Sequence, residues 1–389
     1  MFRFISLLLI TVLLLNLGFA GFAYSDTPKL TLDDAIKLAV ENNPELKAAQ
    51  AKLGISQADI LTAAARPNPN LLSDNGIAED TYRLGIEQTL ELGGKRARRI
   101  HVAEAKTQVV SEEINQSLLD LKTKVRKAYT QLYYVQQREM AFRDIYDSTQ
   151  TLLSVAQKRE QAGDIPQLDV LQANIASINA DNELQTISGQ LTEAWNDLNT
   201  TLNTPLENRF TLELPSQSQT KLPALVDLTA SAYQNRPELK QLEKTLAVTE
   251  QELKLAQANK IPNISLTVGP DLVAPSSSGK ILNVFAIANV NLPIWNRQQG
   301  PIQKALATKT QLASQRQAQE NTIRLEVSNA YNRFLTQRSR MQRYEADILP
   351  KSQNILDKAR NSFTEGKSNI IIPINAQQTY INTKLGYLQ

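Results

Sequence analysis

Between Lys95 and Ala162 the chain holds neither glycine nor proline, and Gly94 and Gly163 close the stretch at its two ends. Apolar residues recur inside it at Ile100, Ala103, Val110 and Ile114, then at Leu118, Leu121, Val125, Ala128, Leu132 and Val135. The later run alternates steps of three and four, the spacing of a coiled-coil seam. The two successive steps of four from Val110 through Ile114 to Leu118 unwind that seam locally. At ~1.5 Å per residue a helix over this stretch is roughly 100 Å long, whereas ordinary globular helices average about a dozen residues. The chain is committed to a rod, and a rod needs neighbours along its length.

The preceding segments change period. Asp33 and Asp34 open one helix behind a Thr31 cap, and Asn43-Pro44-Glu45-Leu46 breaks it and starts another. The pattern then becomes two. From Tyr82, residues Leu84, Ile86 and Leu90 share one face, and Arg83, Gly85, Glu87 and Thr89 share the other. With Leu71 and Leu72 before it and a turn at Asp74-Asn75-Gly76, residues 69–92 read as a β-hairpin. After the long helix, Gly163-Asp164-Ile165-Pro166 forms a tip, a returning helix runs from Gln167 to about Asn203, and Pro205 closes the unit.

The unit then starts again. Arg236-Pro237-Glu238-Leu239 matches Asn43-Pro44-Glu45-Leu46 at an offset of 193 residues, and Pro262-Asn263 matches Pro69-Asn70 at the same offset. Val327, Ala330 and Tyr331 match Val125, Ala128 and Tyr129 at 202, with the extra residues in a Pro/Ser/Gly-rich loop at Pro270–Lys280. Gly366 matches Gly163 at 203. Ile264, Leu266 and Val268 alternate with polar residues. So do Val284, Ala286, Ala288 and Val290, although Phe285 and Ile287 break the polar face.

The expected organisation is therefore a signal peptide over 1–23 and two repeats. The first covers 24–205, with a hairpin at 69–92 and helices at 94–162 and 167–203. The second covers 206–389, with a hairpin at 261–294 and helices at 301–365 and 369–389. Gln389 corresponds to Thr186, so the last helix is expected to be short by about 17 residues relative to the first.

Arg3 followed by the apolar run Phe4 to Ala20 is an export signal, with cleavage near Ala23 or Ser25. No other stretch is apolar enough to cross a bilayer as a helix, so membrane residence requires a closed β-barrel. The chain lacks cysteine, and its formal charge is +3, which carries no nucleic-acid signature. His101 is the sole histidine, so a zinc-type cluster is unavailable. No nucleophile–base pair appears, and Gly93-Gly94-Lys95-Arg96 lacks the upstream glycine of a phosphate loop. Neither a cofactor nor an enzymatic activity is called for.

The fold class is mainly α with a small β part: long antiparallel coiled-coil helices plus four strands per chain. Strands of about ten residues suit a tilted bilayer span. Four of them cannot close a barrel, and open edges in lipid are prohibitive. Two copies give eight strands and three give twelve. A periplasmic coiled-coil adaptor or scaffold is the alternative, though adaptors carry one helical hairpin rather than two.

The signal, the duplicated Asn-Pro-Glu-Leu and Arg-Pro-Glu-Leu starts and the paired hairpins resemble the outer-membrane efflux proteins of the TolC type. Gln88-Thr89-Leu90-Glu91-Leu92-Gly93-Gly94-Lys95-Arg96 looks like the strand-to-helix junction of the cobalt–zinc–cadmium resistance branch. The tip with Leu168-Asp169-Val170-Leu171-Gln172-Ala173 is also similar to the family. The resemblance implies a homotrimer with a twelve-stranded barrel in the outer membrane of a Gram-negative-type cell. It implies a helical tunnel through the periplasm, docked to a periplasmic adaptor and an inner-membrane pump. Divalent heavy-metal cations are the cargo suggested by the branch.

Candidate sites follow. Gly163, Asp164, Asp169, Gly366, Lys367 and Ser368 mark two tips for adaptor contact and gating, a role that rests on the resemblance. Asp164 and Asp169 would form acidic rings in a trimer. Lys95, Arg96, Arg98 and Arg99 place positive charge against the helix dipole, which points to anionic lipid headgroups at the junction. Trp295, at the matching junction of the second half, suits an interfacial aromatic belt.

Overall fold

The computed structural model describes residues 29–75, 81–213, 222–273 and 283–388. The expected signal peptide and most of the Pro/Ser/Gly-rich loop lie outside them. The chain is mainly helical, with one four-stranded and one two-stranded sheet among the described residues.

Strand β1 (Lys29–Leu30) leads into α1 (Leu32–Asn42) and α2 (Pro44–Ala64). The Thr31 hydroxyl accepts the Asp34 N–H at 3.2 Å and donates to its carboxylate at 2.6 Å, capping α1. Asn43 caps α2 by accepting the Leu46 N–H at 3.0 Å, with Pro44 in the first turn. Hairpin β2 (Asn70–Asn75) and β3 (Thr81–Leu90) follow, then α3 (Lys95–Gln161) and α4 (Gln167–Leu202). Next come β4 (Thr211–Leu212), α5 (Leu225–Asn235), α6 (Pro237–Ala258), β5 (Ile264–Val273) and β6 (Asn283–Val290). The chain closes with α7 (Gln299–Arg343), a π turn (Tyr344–Ile348), α8 (Leu349–Thr364) and α9 (Ile371–Leu388).

The structure refines three expectations. The helix placed over 301–365 runs from Gln299 to Thr364 and carries a π turn at Tyr344–Ile348 inside it. Pro350, one turn on, has no N–H for the carbonyl four residues back, and its ring crowds that carbonyl, so the ladder widens. β3 and β5 have the expected ten residues, and the described parts of β2 and β6 have six and eight. Pro270 lies inside β5, where the ladder to β3 skips Gly269 and Pro270. The last helix begins at Ile371, not 369.

The described chain forms two compact units, and neither coincides with half of the sequence. One gathers residues 29–42, 122–213 and 344–388; the other gathers 43–75, 81–121, 222–273 and 283–343. Helices as long as α3 contribute to both, so the cores form from stretches that are remote in sequence.

In the first unit α3 buries Val125, Leu132, Val135, Phe142, Ile145 and Leu152, the expected seam continued toward the tip. Helix α4 answers with Ala173, Ala180, Ile187, Ala194 and Leu198. Each fully buried aliphatic contributes ~1.5–3 kcal/mol. Tyr129, fully buried one step off the seam, donates its hydroxyl between the carbonyls of Leu30 (2.7 Å) and Glu213 (2.6 Å) and accepts the Glu213 N–H. It thereby ties the parallel β1–β4 pair to α3.

In the second unit the strands run in the order β2-β3-β5-β6, each antiparallel to its neighbour. The hairpins join through β3 and β5, where a side chain on Gly269 would sit 1.9 Å from the Leu84 carbonyl oxygen. Glycine is required by that close approach.

Candidate docking tips, strand-to-helix junction and sheet edges

The tips are built by one device used twice. Gly163 (φ 82°) follows α3, with the Gly163 N–H on the Glu160 carbonyl and the Asp164 N–H on the Arg159 carbonyl, both at 2.8 Å. Gly366 (φ 77°) follows α8, with the Gly366 N–H on Phe363 at 3.0 Å and the Lys367 N–H on Ser362 at 2.8 Å. Both are Schellman closures, which place a left-handed residue after the helix. Pro166 precedes α4, and Asp169 lies in its first turn. Asp164 and Lys367 are exposed; Asp169 and Ser368 are half-buried. The Lys367 ammonium bonds the Glu365 carboxylate, and the Ser368 hydroxyl oxygen is buried without a hydrogen-bond partner.

The fold brings these tips together. Leu152, Ala156, Ala173, Phe363 and Ile370 form a buried cluster with Ile165 and Val170 packed on it. Arg159 donates to the Phe363 carbonyl at 2.7 Å and stacks over its ring at 4.9 Å. Further along, buried Gln377 of α9 donates to Thr149 and to the Ile145 carbonyl of α3. Sequence reading missed Arg159, Phe363, Thr149 and Gln377. A cation in the last turn of α3 and an aromatic three residues before Gly366 were the available signals.

The junction explains its own sequence. Gly93 (φ 71°) and Gly94 (φ 68°) turn β3 into α3, and a side chain on Gly93 would strike Ile261 at 2.7 Å. The expected basic cluster is divided. Lys95 is buried with its ammonium on the Asn263 side-chain oxygen. Arg96 donates to the Ala64 carbonyl at 2.6 Å, and Arg99 to the Ala65 carbonyl at 3.3 Å. These carbonyls end α2, where cations are favoured by the dipole. The charges that oppose the dipole of α3 thus complete the open end of α2. Arg99 also grips Glu91 through both carboxylate oxygens. That hydrogen bond holds the Glu91 carboxyl below the usual range, against the opposing effect of burial. Burial pushes Lys95 down, with Arg99 adding to the effect and Glu91 opposing it. Arg98 is exposed, and Trp295 is 85% exposed.

On the sheet, Leu71, Ile86, Val268 and Ala286 lie in register across all four strands on one outward, exposed face. Leu84, Leu90, Leu266, Val284 and Val290 extend that face. The opposite face carries Glu87, Thr89, Ser265 and buried Thr267. Phe285 breaks its polarity by folding over Gly85, under the Arg83 guanidinium at 5.3 Å. Among the described residues β2 pairs with β3 alone and β6 with β5 alone, so both outer edges are open.

The sequence matches the model of the outer membrane efflux protein family over residues 35–204 and again over 228–389. The chain belongs to that family. It is an outer membrane efflux protein. It is 26% identical over 376 residues to the cobalt-zinc-cadmium resistance protein CzcC of Cupriavidus metallidurans, covering 92% of this chain and 86% of the relative. It is 20% identical over 342 residues to the pyoverdine export outer membrane protein OpmQ of Pseudomonas aeruginosa, covering 86% and 72%. The fold is that of CusC (TM-score 0.76, 18% identity, 92% of this chain and 87% of that one). It is equally that of VceC from Vibrio cholerae (TM-score 0.74, 17% identity, 92% and 91%). These family members and structural neighbours are channels and transport proteins. Among the described residues no helix is long and apolar enough to cross a membrane.

Proposed function

We propose that three copies of this chain share one twelve-stranded barrel and one helical tunnel, forming the passive exit duct of a tripartite efflux system. The observation that carries the reading is the four-stranded sheet with an apolar outward face and two open edges. In hydrocarbon each unpaired backbone group costs several kcal/mol, and pairing β6 of one copy with β2 of the next removes the edges. An internal duplication accounts for the order helix, hairpin, long helix, tip, returning helix in both halves. The tips at Gly163, Asp164, Asp169, Gly366, Lys367 and Ser368 dock a periplasmic adaptor joined to an inner-membrane pump. Asp164 and Asp169, repeated in each copy, make the mouth favourable to cations. Arg98 lies at the membrane interface.

The cargo of this duct is divalent heavy-metal cations. Support comes from the similarity to a cobalt-zinc-cadmium resistance protein and from the junction motif. The test is complementation: a host lacking its own duct, given this chain with its pump and adaptor, should regain growth on cobalt, zinc or cadmium. Restored export of organic compounds without metal tolerance would overturn the cargo assignment.

A further inference from the structure

The two open edges of the sheet are flanked by exposed apolar side chains, and both flanks lie at one end. Neighbouring strands are antiparallel throughout, so the start of β2 and the finish of β6 share that end. Beyond β6, Leu292 and Ile294 are exposed beside Trp295. The segment that presents them is fixed. The Ile294 N–H reaches the Leu292 carbonyl at 2.9 Å, Arg297 reaches the Ile294 carbonyl at 3.1 Å, and Gln299 reaches the Trp295 carbonyl at 3.0 Å. Ahead of β2, Leu61 and Ile55 of α2 are 74% and 65% exposed.

Six extended residues and one helical turn put Leu61 up to ~25 Å beyond Asn70. Five extended residues put Trp295 up to ~17 Å beyond Val290. A head-to-tail ring requires two different, complementary surfaces, one on each flank. A rigidly held tryptophan against aliphatic side chains is the usual anchor of such a contact.

We infer that Trp295 of one copy, with Leu292 and Ile294, packs on Leu61 of the next copy and seals the ring just beyond the strands. The inference rests on the shared-barrel reading and adds the residues that clamp each joint. A lipid belt would place large exposed side chains beyond the inner strands as well. There Leu92 and Ile261 are 38% and 44% exposed, about half as much as Trp295. Just beyond the four strands, apolar exposure is greater beside the open edges, where a second copy would sit, than beside the inner strands.

The chain has no cysteine, so pairs can be introduced without background. Outer membranes holding the double variant Trp295→Cys, Leu61→Cys are oxidised and run on denaturing gels. The expected result is a ladder reaching three copies, absent from either single variant. Leu71→Cys, combined in turn with Ala288→Cys and Val290→Cys, reports the strand edge itself. Edge cross-links without the Trp295–Leu61 cross-link overturn this inference and leave the barrel reading intact. Loss of both kinds overturns the barrel reading too. A second readout uses Trp195→Phe, which leaves Trp295 as the sole tryptophan. Blue-shifted emission that brominated phospholipids do not quench supports the contact between copies. Strong quenching by those lipids, or emission at a water-exposed wavelength, overturns it.

Discussion

Phe363→Ala should loosen both tips at once. Phe363 is fully buried between the two helical hairpins, in contact with a cluster drawn from α3, α4, α8 and α9. Truncating a buried phenylalanine costs ~3–5 kcal/mol in lost transfer energy and residual cavity. The Arg159 stack contributes ~0.5–2 kcal/mol and overlaps that figure rather than adding to it. Hydrogen exchange of the detergent-solubilised protein reads the result directly. The amides of Asp164 and Lys367, which close the two turns on Arg159 and Ser362, report opening of the tips. Where reclosing is faster than chemical exchange, ~3–5 kcal/mol corresponds to roughly 150- to 5,000-fold faster exchange. The Arg98 amide, bonded to the Gly94 carbonyl at the start of α3, serves as the internal control and should not move. Tip amides that exchange at the parental rate would refute the view that this cluster holds the tips. Equal acceleration at Arg98 would refute its local character.

Gly163→Val forces a β-branched residue to φ 82°, a strain of ~1–3 kcal/mol. Export should fail while the barrel still inserts, read by resistance assays beside outer-membrane fractionation, and unchanged resistance would count against a tip role. Gly269→Ala has no space for its methyl group beside the Leu84 carbonyl. It should abolish accumulation in the outer membrane, measured by blotting of membrane fractions. Glu91 has its folded-state pKa lowered by Arg99. Its contribution to stability is therefore full above the unfolded carboxylate pKa of about 4.3 and is lost as pH falls through the depressed folded value. Glu91→Gln should lower thermal stability at pH 7 by ~1–3 kcal/mol and flatten that acid dependence, and a parallel pH profile would contradict the pairing.

The long helices were legible because their pattern is local. A glycine- and proline-free stretch with three–four spacing leaves few alternatives, and positive-φ glycines marked where α3 and α8 stop. The hairpins were legible for the same reason, through a period of two. What escaped was set by partners distant in sequence. The cations at the start of α3 read as a lipid-facing cluster because Ala64, Ala65 and Asn263, which receive Arg96, Arg99 and Lys95, cannot be paired with them from spacing. The π turn at Tyr344–Ile348 was signalled by Pro350 alone, inside an otherwise regular helical pattern. The buried bond between Gln377 and Thr149 joins residues of opposite halves, and either residue by itself resembles a solvated helix position.

Counting the copies in one barrel is the most direct trial of a duct that no single chain can close. Native mass spectrometry of the detergent-extracted protein, taken from the fraction that conducts ions in planar bilayers, should give a single species of three chains. A conducting species containing one chain would contradict it.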